Sequence, residues 1–308
     1  MKDKLVLQGE FIMKRLKPLN DFIFKKIFGE KGNEDILISF LNAILKRTNN
    51  EPITEIEIID NKELTKKLLK DKTGIIDVRA KTSKGEEIDI EVQLTDQGNM
   101  DKRTLFYWSK LYIDNISPGD DYRKLSKVIT INIVDFDFLE TQGYHSSFHL
   151  WEDIEKDFML TDVVEIHFLE MTKFRRKKNK DFKENAVERW LAFLQKDISE
   201  TTLKELMRME PAIEKAEKKL EYLSSDKETL SIYWERERSL HERANMINTA
   251  EERGFSKGVE QGIEQGIEQG KKQVAISLLD LLDDETIAVK TGLDIELVKK
   301  LREDFIKE

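Results

Sequence analysis

"EEIDIEVQLTDQ", residues 86–97, decides the fold, because apolar and polar side chains alternate along it as they do in a half-buried β-strand. Its polar face carries Asp89, Glu91 and Gln93 in a row. Neighbouring carboxylates on one face of a sheet repel each other and need a counter-charge. The residues opposite them therefore indicate what this strand does.

A second strand precedes this one. "IIDVRAK", residues 75–81, has apolar residues at alternate positions, and the loop Ser83-Lys84-Gly85 joins the two strands. A three-residue hairpin loop with glycine in its left-handed position predicts a register that sets Asp77 directly opposite Glu91. One face of this hairpin is apolar, and a slip of one residue would destroy the match.

The opposed carboxylates have two interpretations. Their Cβ atoms would lie about 5 Å apart, where like charges destabilise the sheet. Either Arg79, diagonal to the pair, neutralises them on an exposed polar face, or a divalent cation bridges Asp77 and Glu91. Hard cations such as Mg²⁺ bind carboxylate oxygens and fill their remaining positions with water and substrate phosphate.

The composition of the 308-residue chain allows a globular protein, since 39% of the residues are hydrophobic and 8% are aromatic. A formal net charge of −9 argues against a protein that coats nucleic acid non-specifically, but not against an enzyme with a local basic groove. The lack of cysteine excludes disulfides and thiolate sites and fits a reducing cytoplasm. No membrane-length apolar run is found, and residues 1–14 are predicted to be a leader.

Residues 15–175 are predicted to form one α/β domain. Helical spacing of apolar residues predicts two short helices before residue 48, broken near Gly29 and Gly32, and a longer helix at "NMDKRTLFYWSKLYIDNI". Strands are predicted at "PITEIEII", "IIDVRAK", "EIDIEVQLT", "KVITINIVDF", "HSSFHLWE" and "DVVEIHFLEM".

Residues 176–272 are predicted to be helical, because strand patterns disappear there. They contain a repeat in which glycine occupies every fourth position: Gly254, Gly258, Gly262, Gly266 and Gly270. Each glycine in a helix costs about 1 kcal/mol relative to alanine. The repeat is either a marginal helical linker or a helix whose small-residue face meets a partner helix, which would make this region a site of homo-oligomerisation.

Residues 273–308 are predicted to form a helical hairpin, in which Gly292 ends one helix and Asp294 caps the next. A helix-turn-helix that reads DNA is one interpretation. The mixed charge of the second helix favours packing or oligomerisation instead.

The order of these motifs resembles a known fold. A helix, a strand with Asp77, a strand with Glu91-Val92-Gln93, a helix and a strand are similar to the restriction-endonuclease-like PD-(D/E)XK core, which has a mixed central sheet flanked by helices. More closely, the chain resembles the recombination-promoting nucleases, also described as PD-(D/E)XK family transposases. Six stretches within about residues 18–136 carry the resemblance: "NDFIFKKIFG", "IIDVRA", "IEVQ", "RTLFYWSKLY", "GDDYRKL" and "VITINIVDF".

The resemblance implies a DNA endonuclease that depends on Mg²⁺ or Mn²⁺ and acts in recombination or transposition. Asp77 and Glu91 would bind the metal with the backbone carbonyl of Val92, and Gln93 would stand where the broader fold has lysine. Such a metal activates water and offsets charge on the leaving oxygen. Glutamine can only orient water or phosphate, so a nuclease fold that binds DNA or self-assembles without efficient cleavage is the alternative.

Other side chains are predicted to support this site. Arg103, Tyr107 and Lys110 lie at spacings of four and three residues, which set them on one face of a helix. Tyr107 is expected to pack on the sheet, and the two basic residues either contact phosphate or pack as well. Asp21 and Lys25, one turn apart on the first helix, are candidates for an outer acid and a substitute for the lysine.

The segment "KFRRKKNK", residues 173–180, is the densest basic cluster in the chain. It is either a solvated loop or a DNA contact made by Lys173, Arg175, Arg176, Lys177 and Lys178. The histidines are not expected to bind metal. His145 and His149 lie in a strand pattern, where a four-residue gap separates them by about 13 Å, and His167 and His241 are discounted likewise.

Overall fold

The structure, a computed structural model, describes residues 15–46, 48, 51–59 and 78–307. It divides the chain into two compact units, Met1–Ser239 and Leu240–Glu308. The domain boundary predicted at residue 175 therefore falls inside the first unit. Asp77 and the predicted leader lie outside the described residues.

Six strands of the described residues form one mixed sheet: β1 (Ile56–Ile58), β2 (Val78–Thr82), β3 (Glu87–Gln93), β4 (Val128–Val134), β5 (His145–Trp151) and β6 (Met159–Glu170). They lie in the order β1-β2-β3-β4-β6-β5. Neighbours are antiparallel from β1 to β3, parallel from β3 through β4 to β6, and antiparallel again between β6 and β5. Each segment predicted as a strand overlaps one of these strands, although β2 ends one residue later and β6 begins three residues earlier than predicted.

The two helices predicted before residue 48 are present as α1 (Asp21–Phe28) and α2 (Glu34–Leu45). The other described helices that lie entirely within the first unit are α3 (Met100–Asp114), α4 (Met171–Arg176), α5 (Ala186–Phe193), α6 (Glu200–Met209) and α7 (Pro211–Ser225). A short 3₁₀ turn, Tyr122–Lys124, precedes β4. The break between α1 and α2 falls at Gly29 and Gly32, as predicted. Asn20 caps α1 by accepting a hydrogen bond from the Ile23 N–H.

One face of the sheet packs against α1 and α2, and helices from beyond residue 176 complete this core. Its aromatic centre consists of five fully buried rings: Phe24, Phe28, Phe40, Trp190 and Phe193. The Phe28 and Trp190 ring centroids lie 5.6 Å apart with edge-on geometry. Because α5 supplies Trp190 and Phe193, the first unit cannot end at residue 175.

The opposite face of the sheet is covered by α3, which connects β3 to the parallel strand β4. Tyr107 and Leu111 of α3 pack on Val128. As a result β3 is buried on both faces. The alternating pattern predicted a half-buried strand for this segment, and that prediction is wrong because the polar face of β3 lies under α3.

The second unit has a small core of its own. The long helix α8 (Lys227–Leu278) continues into it and is followed by α9 (Asp284–Thr291) and α10 (Ile295–Lys307). The core consists of Ala275, Leu279, Ile287 and Val298. Gly292 ends α9 with a left-handed φ of +67°, and the Asp294 carboxylate accepts from the Glu296 N–H at 2.9 Å, as the predicted cap requires.

The glycine repeat lies within α8. A Cβ atom added at any of its five glycines would meet nothing within 4 Å in the part of the chain that the structure describes. The face of α8 that carries these five glycines therefore packs against no described residue. No helix among the described ranges combines the length and apolarity that crossing a bilayer requires.

Candidate functional site

The hairpin of β2 and β3 has the predicted register. Val78 pairs with Ile90. Gly85 has a φ of +86°, the left-handed conformation expected of the loop, and its N–H donates across the loop to a backbone carbonyl at 2.9 Å. Because Asp77 lies outside the described residues, its place opposite Glu91 stays a prediction.

Three carboxylates line the face of β3 that α3 covers: Glu87, Asp89 and Glu91. Arg79 donates to Glu87, with 2.5 Å between Nη2 and Oε2. Arg103 of α3 donates to Glu91, with 3.0 Å between Nη2 and Oε2. The interpretation of Arg79 as the counter-charge of Glu91 on an exposed face is therefore wrong. The face is buried, and Arg103 of α3 supplies the positive charge beside Glu91.

Glu91 is a carboxyl whose pKa the fold shifts upward. Its side chain is 3% exposed, and burial raises its pKa to about 7, although the charge and hydrogen bond of Arg103 act in the opposite direction. Its second oxygen, Oε1, is buried and has no hydrogen-bond partner among the described residues. A buried carboxylate oxygen left in this way is costly, and a cation would satisfy it.

Gln93 lies where β3 ends and is partly exposed. Its side-chain amide donates to the carbonyl of Thr95 at 3.0 Å. Its backbone carbonyl accepts from the Asp135 N–H, also at 3.0 Å, which ties the end of β3 to the end of β4. Of the four polar residues on this face of β3, Gln93 is the one that is partly exposed.

Asn132 of β4 lies beside Glu91 in the parallel ladder and is buried. Its amide oxygen accepts from the Thr104 hydroxyl at 3.0 Å, and its amide nitrogen donates to the His167 carbonyl at 3.1 Å. The sequence analysis missed this residue. Its signal is an amide inside the otherwise apolar run "VITINIV".

The structure brings part of the predicted supporting set to the site. Arg103 contacts Glu91, and its guanidinium lies 5.3 Å from the centre of the Tyr107 ring. Tyr107 is buried, which agrees with a packing role. Lys110 lies further along α3, with its ammonium group 5.6 Å from the Phe106 ring centre.

Of the two residues predicted on the first helix, Lys25 lies near the start of β2. A Cβ atom at Gly29 would stand 3.1 Å from Cγ2 of Val78 and 3.0 Å from the Lys25 carbonyl, so the end of α1 touches the strand that follows Asp77. Asp21 forms a 3.4 Å ion pair with Arg236. The roles of Asp21 and Lys25 as outer acid and substitute lysine stay predictions.

The oxygen atoms at Glu91 and Val92 could supply some of the ligands that a hard cation requires. No group of three or more histidine or acidic side chains among the described residues has the geometry of a metal site. Glu91 nevertheless offers an unsatisfied carboxylate oxygen, and Val92 next to it carries a backbone carbonyl. Oxygen donors of these two kinds are those that Mg²⁺ and Mn²⁺ use.

A comparison with models of known protein families shows the family to which this chain belongs. The model described as PD-(D/E)XK nuclease family transposase matches residues 18–250. The chain belongs to this family. Its six-stranded mixed sheet and helical C-terminal region agree with the fold class that the sequence predicted. Searches of curated proteins and of solved structures gave no match.

The basic segment of this PD-(D/E)XK family member is largely engaged in ion pairs. Four of the five residues predicted to contact DNA pair with carboxylates: Lys173 with Glu170, Arg175 with Asp135, Arg176 with Asp137 and Lys177 with Glu188. The fifth, Lys178, is exposed and has no ion-pair partner among the described residues. The cluster therefore holds α4 against its neighbours, while Arg175 and Arg176 also keep much of their side chains in solvent.

The sheet carries a second buried titratable cluster on the face opposite Glu91. At its centre Glu165 of β6 accepts a hydrogen bond from His167 at 2.7 Å and pairs with Lys127 at 2.5 Å. The Thr48 hydroxyl also donates to Glu165, and His145 lies 3.0 Å from His167. Burial alone would raise the pKa of Glu165, but these hydrogen bonds outweigh it and lower the pKa to about 2.

The sequence analysis discounted these histidines as ligands and did not foresee their convergence. The polar residues alternate in "VEIHF", which is the signal that Glu165 and His167 share a face. Their partners are His145 of β5, Lys127 directly before β4, and Thr48. Because Glu165 lies beside Ile129, on the face away from Glu91, this cluster does not join the candidate site.

Proposed function

We propose that this protein is a metal-dependent DNA endonuclease that hydrolyses phosphodiester bonds in recombination or transposition. The observation that carries the proposal is Glu91, a buried carboxylate held by Arg103 through one oxygen and left unsatisfied at the other among the described residues. The register of the hairpin, which predicts Asp77 across the strand, supports a second ligand. Membership of a nuclease family supports the reaction class.

Each residue of the site has a separate task in this proposal. Asp77, Glu91 and the Val92 carbonyl would hold Mg²⁺ or Mn²⁺, which supplies a Lewis acid when it is bound. Arg103 fixes the orientation of the Glu91 carboxylate and favours its ionised form. Gln93 has no charge and no titratable proton, so it positions the attacking water or a phosphate oxygen by hydrogen bonds.

DNA is proposed to pass the end of β3, where Gln93 is partly exposed. Asp135 links this end to the basic segment, because its N–H donates to the Gln93 carbonyl and its carboxylate pairs with Arg175 at 2.5 Å. The remaining members of the predicted set, Lys173, Arg176, Lys177 and Lys178, extend the basic surface. Contacts to phosphate of this kind would make binding weaken steeply with added salt.

Nicking of supercoiled plasmid DNA tests the proposal. Wild-type protein with Mg²⁺ or Mn²⁺ is expected to convert the plasmid to the open circular form and to lose this activity in EDTA. Asp77→Ala and Glu91→Ala are each expected to reduce the nicking rate at least about 100-fold, because each removes one oxygen ligand of the metal.

Asp101→Ala is the matched control, since Asp101 is an exposed acid in the first turn of α3 and is outside the proposed site. It should nick like the wild type. Circular dichroism of each variant verifies that it is folded. Unchanged nicking in both Asp77→Ala and Glu91→Ala would remove the site assignment.

A second candidate function is DNA binding or self-assembly by a nuclease fold that cleaves poorly. Two observations favour it: glutamine stands at position 93, and the Glu91 side chain is 3% exposed. This candidate predicts that wild-type protein binds DNA in a gel-shift assay but cuts no supercoiled, single-stranded or branched substrate with either metal. Metal-dependent cleavage of any of these substrates would exclude it.

A further inference from the structure

A buried amide links α3 to the sheet. Asn132 is 2% exposed and belongs to β4, a strand in which all seven residues are buried. The His167 carbonyl can only accept a hydrogen bond, so the amide nitrogen of Asn132 faces it and the amide oxygen faces Thr104. The Thr104 hydroxyl is therefore the donor to that oxygen. These hydrogen bonds form a continuous chain from α3 through β4 to β6.

The hydrogen bond between Thr104 and Asn132 is the directional part of this interface. The other buried residues of α3 are Met100, Tyr107 and Leu111, which belong to hydrophobic clusters. Hydrophobic contacts are non-directional, so they tolerate a small rotation or sliding of the helix. A hydrogen bond requires a narrow range of distance and angle. The bond to Asn132 therefore fixes the rotation of α3 about its own axis.

The rotation of α3 affects Glu91, because Arg103 directly precedes Thr104. Arg103 donates to Glu91 with 3.0 Å between Nη2 and Oε2, and Asn132 lies beside Glu91 in the parallel ladder. Consecutive residues of a helix move together, because the backbone hydrogen bonds hold the helix as one unit. A rotation that breaks the bond between Thr104 and Asn132 would therefore displace the Arg103 guanidinium from Glu91.

We propose that Thr104 and Asn132 are positioning residues of the candidate metal site, whose hydrogen bond holds Arg103 on one oxygen of Glu91 and leaves the other oxygen available to the cation. This inference rests on the proposed metal-dependent function. Neither residue contacts the metal or the DNA in this proposal, because each acts through Arg103. Removing an outer partner of a metal ligand costs roughly 10–100-fold in metal affinity.

Titration with Mn²⁺ at pH 8, followed by electron paramagnetic resonance, tests the proposal. Thr104→Val keeps the shape of the side chain and loses the hydroxyl, so it should raise the dissociation constant of Mn²⁺ about tenfold. Thr104→Ser keeps the hydroxyl and should restore the dissociation constant to within about twofold of wild type. Asn132→Leu should weaken binding at least as much as Thr104→Val. Both substitutions together should be no weaker than Asn132→Leu alone, since they remove the same bond.

Trp108→Phe is the matched control. Trp108 of α3 also donates a side-chain hydrogen bond to β4, with 3.1 Å between its Nε1 and the Val128 carbonyl. Val128 lies four residues from Asn132 along the strand, a distance of about 13 Å. Loss of this bond loosens α3 away from Glu91, so the affinity for Mn²⁺ should stay within about twofold of wild type. Thermal melting by circular dichroism verifies that each variant is folded.

Urea unfolding in EDTA tests the positioning role without metal. Arg103→Met should raise the equilibrium constant of unfolding, because it leaves Glu91 without its buried partner. This effect should be at least about threefold smaller in Thr104→Val, where Arg103 is no longer held on Glu91. It should be unchanged in Trp108→Phe. Absence of Mn²⁺ binding in wild type would contradict the proposed metal site, whereas this comparison would still decide the positioning role.

Any of three results would overturn the proposal. The first is binding of Mn²⁺ by Thr104→Val that equals binding by wild type. The second is a loss of affinity in Thr104→Ser or Trp108→Phe as large as in Thr104→Val, and the third is additive effects of Thr104→Val and Arg103→Met on unfolding in EDTA. If Asn132→Leu does not fold, the variants of Thr104 decide, because they keep the buried amide.

Discussion

Replacing Glu91 by glutamine should stabilise the metal-free protein at alkaline pH. The folded protein holds the pKa of Glu91 at about 7 against an ordinary value of 4.5. A carboxyl whose pKa is raised on folding contributes stability that is fully present below pH 4.5 and is lost as the pH rises through about 7. At roughly 1.4 kcal/mol per pKa unit, ionisation of Glu91 lowers the free energy of unfolding by about 3 kcal/mol at pH 8.

Glutamine resembles the protonated carboxyl and does not titrate, so Glu91→Gln should lack this decline. Urea unfolding in EDTA at pH 4.5, 6 and 8 measures the effect. Tryptophan fluorescence is a suitable probe, because all four tryptophans, Trp108, Trp151, Trp190 and Trp234, belong to the first unit. The free energy of unfolding of the variant relative to wild type should rise by about 3 kcal/mol between pH 4.5 and pH 8.

Asp101→Asn is the control for the loss of one negative charge and should track the wild type at every pH. Mn²⁺ at pH 8 should stabilise wild type and leave Glu91→Gln unchanged, because a cation stabilises the ionised carboxylate that it binds. Parallel pH profiles for wild type and Glu91→Gln would show that burial does not raise the pKa of Glu91, and the electrostatic argument for the site would fail.

Two further predictions concern the fold that positions the site. Glu165→Gln should destabilise the protein by about 3 kcal/mol at pH 7, because the fold lowers the pKa of Glu165 from 4.5 to about 2. This contribution to stability is present above pH 4.5 and is lost as the pH falls toward 2. Acid unfolding curves of the variant that coincide with those of wild type would contradict this. Gly29→Ala should cost about 1–3 kcal/mol, because the new Cβ would stand 3.0 Å from the Lys25 carbonyl and 3.1 Å from Val78. Gly143→Ala, with its nearest neighbour at 3.7 Å, is the control, and equal melting temperatures for the two alanine variants would refute the contact.

Local patterns were sufficient to predict much of the fold. The register of β2 and β3 follows from a three-residue loop and one glycine, and both are read directly from residues 83–85. The breaks between α1 and α2 and the end of α9 at Gly292 are equally local, since they depend on a few neighbouring residues.

Features that depend on contacts distant in sequence were not predicted. Polar and apolar residues alternate along β3 as they do in a strand with one exposed face. In the structure α3 covers the polar face, and Arg103 of α3 pairs with Glu91 there. Glu165 pairs with Lys127, directly before β4, and accepts a hydrogen bond from Thr48, which follows α2. No rule of sequence spacing relates these three residues. The first unit extends past residue 175 because α5 supplies Trp190 to its core.

Electron paramagnetic resonance of Mn²⁺ tests the central claim, that Glu91 and Asp77 bind one divalent cation, most directly. Free aqueous Mn²⁺ gives a strong signal that is lost on binding, so a titration counts the sites. We predict one site per wild-type chain at pH 8, the same site in Asp101→Asn, and none in Asp77→Asn or Glu91→Gln. An undiminished site in Glu91→Gln would contradict the claim.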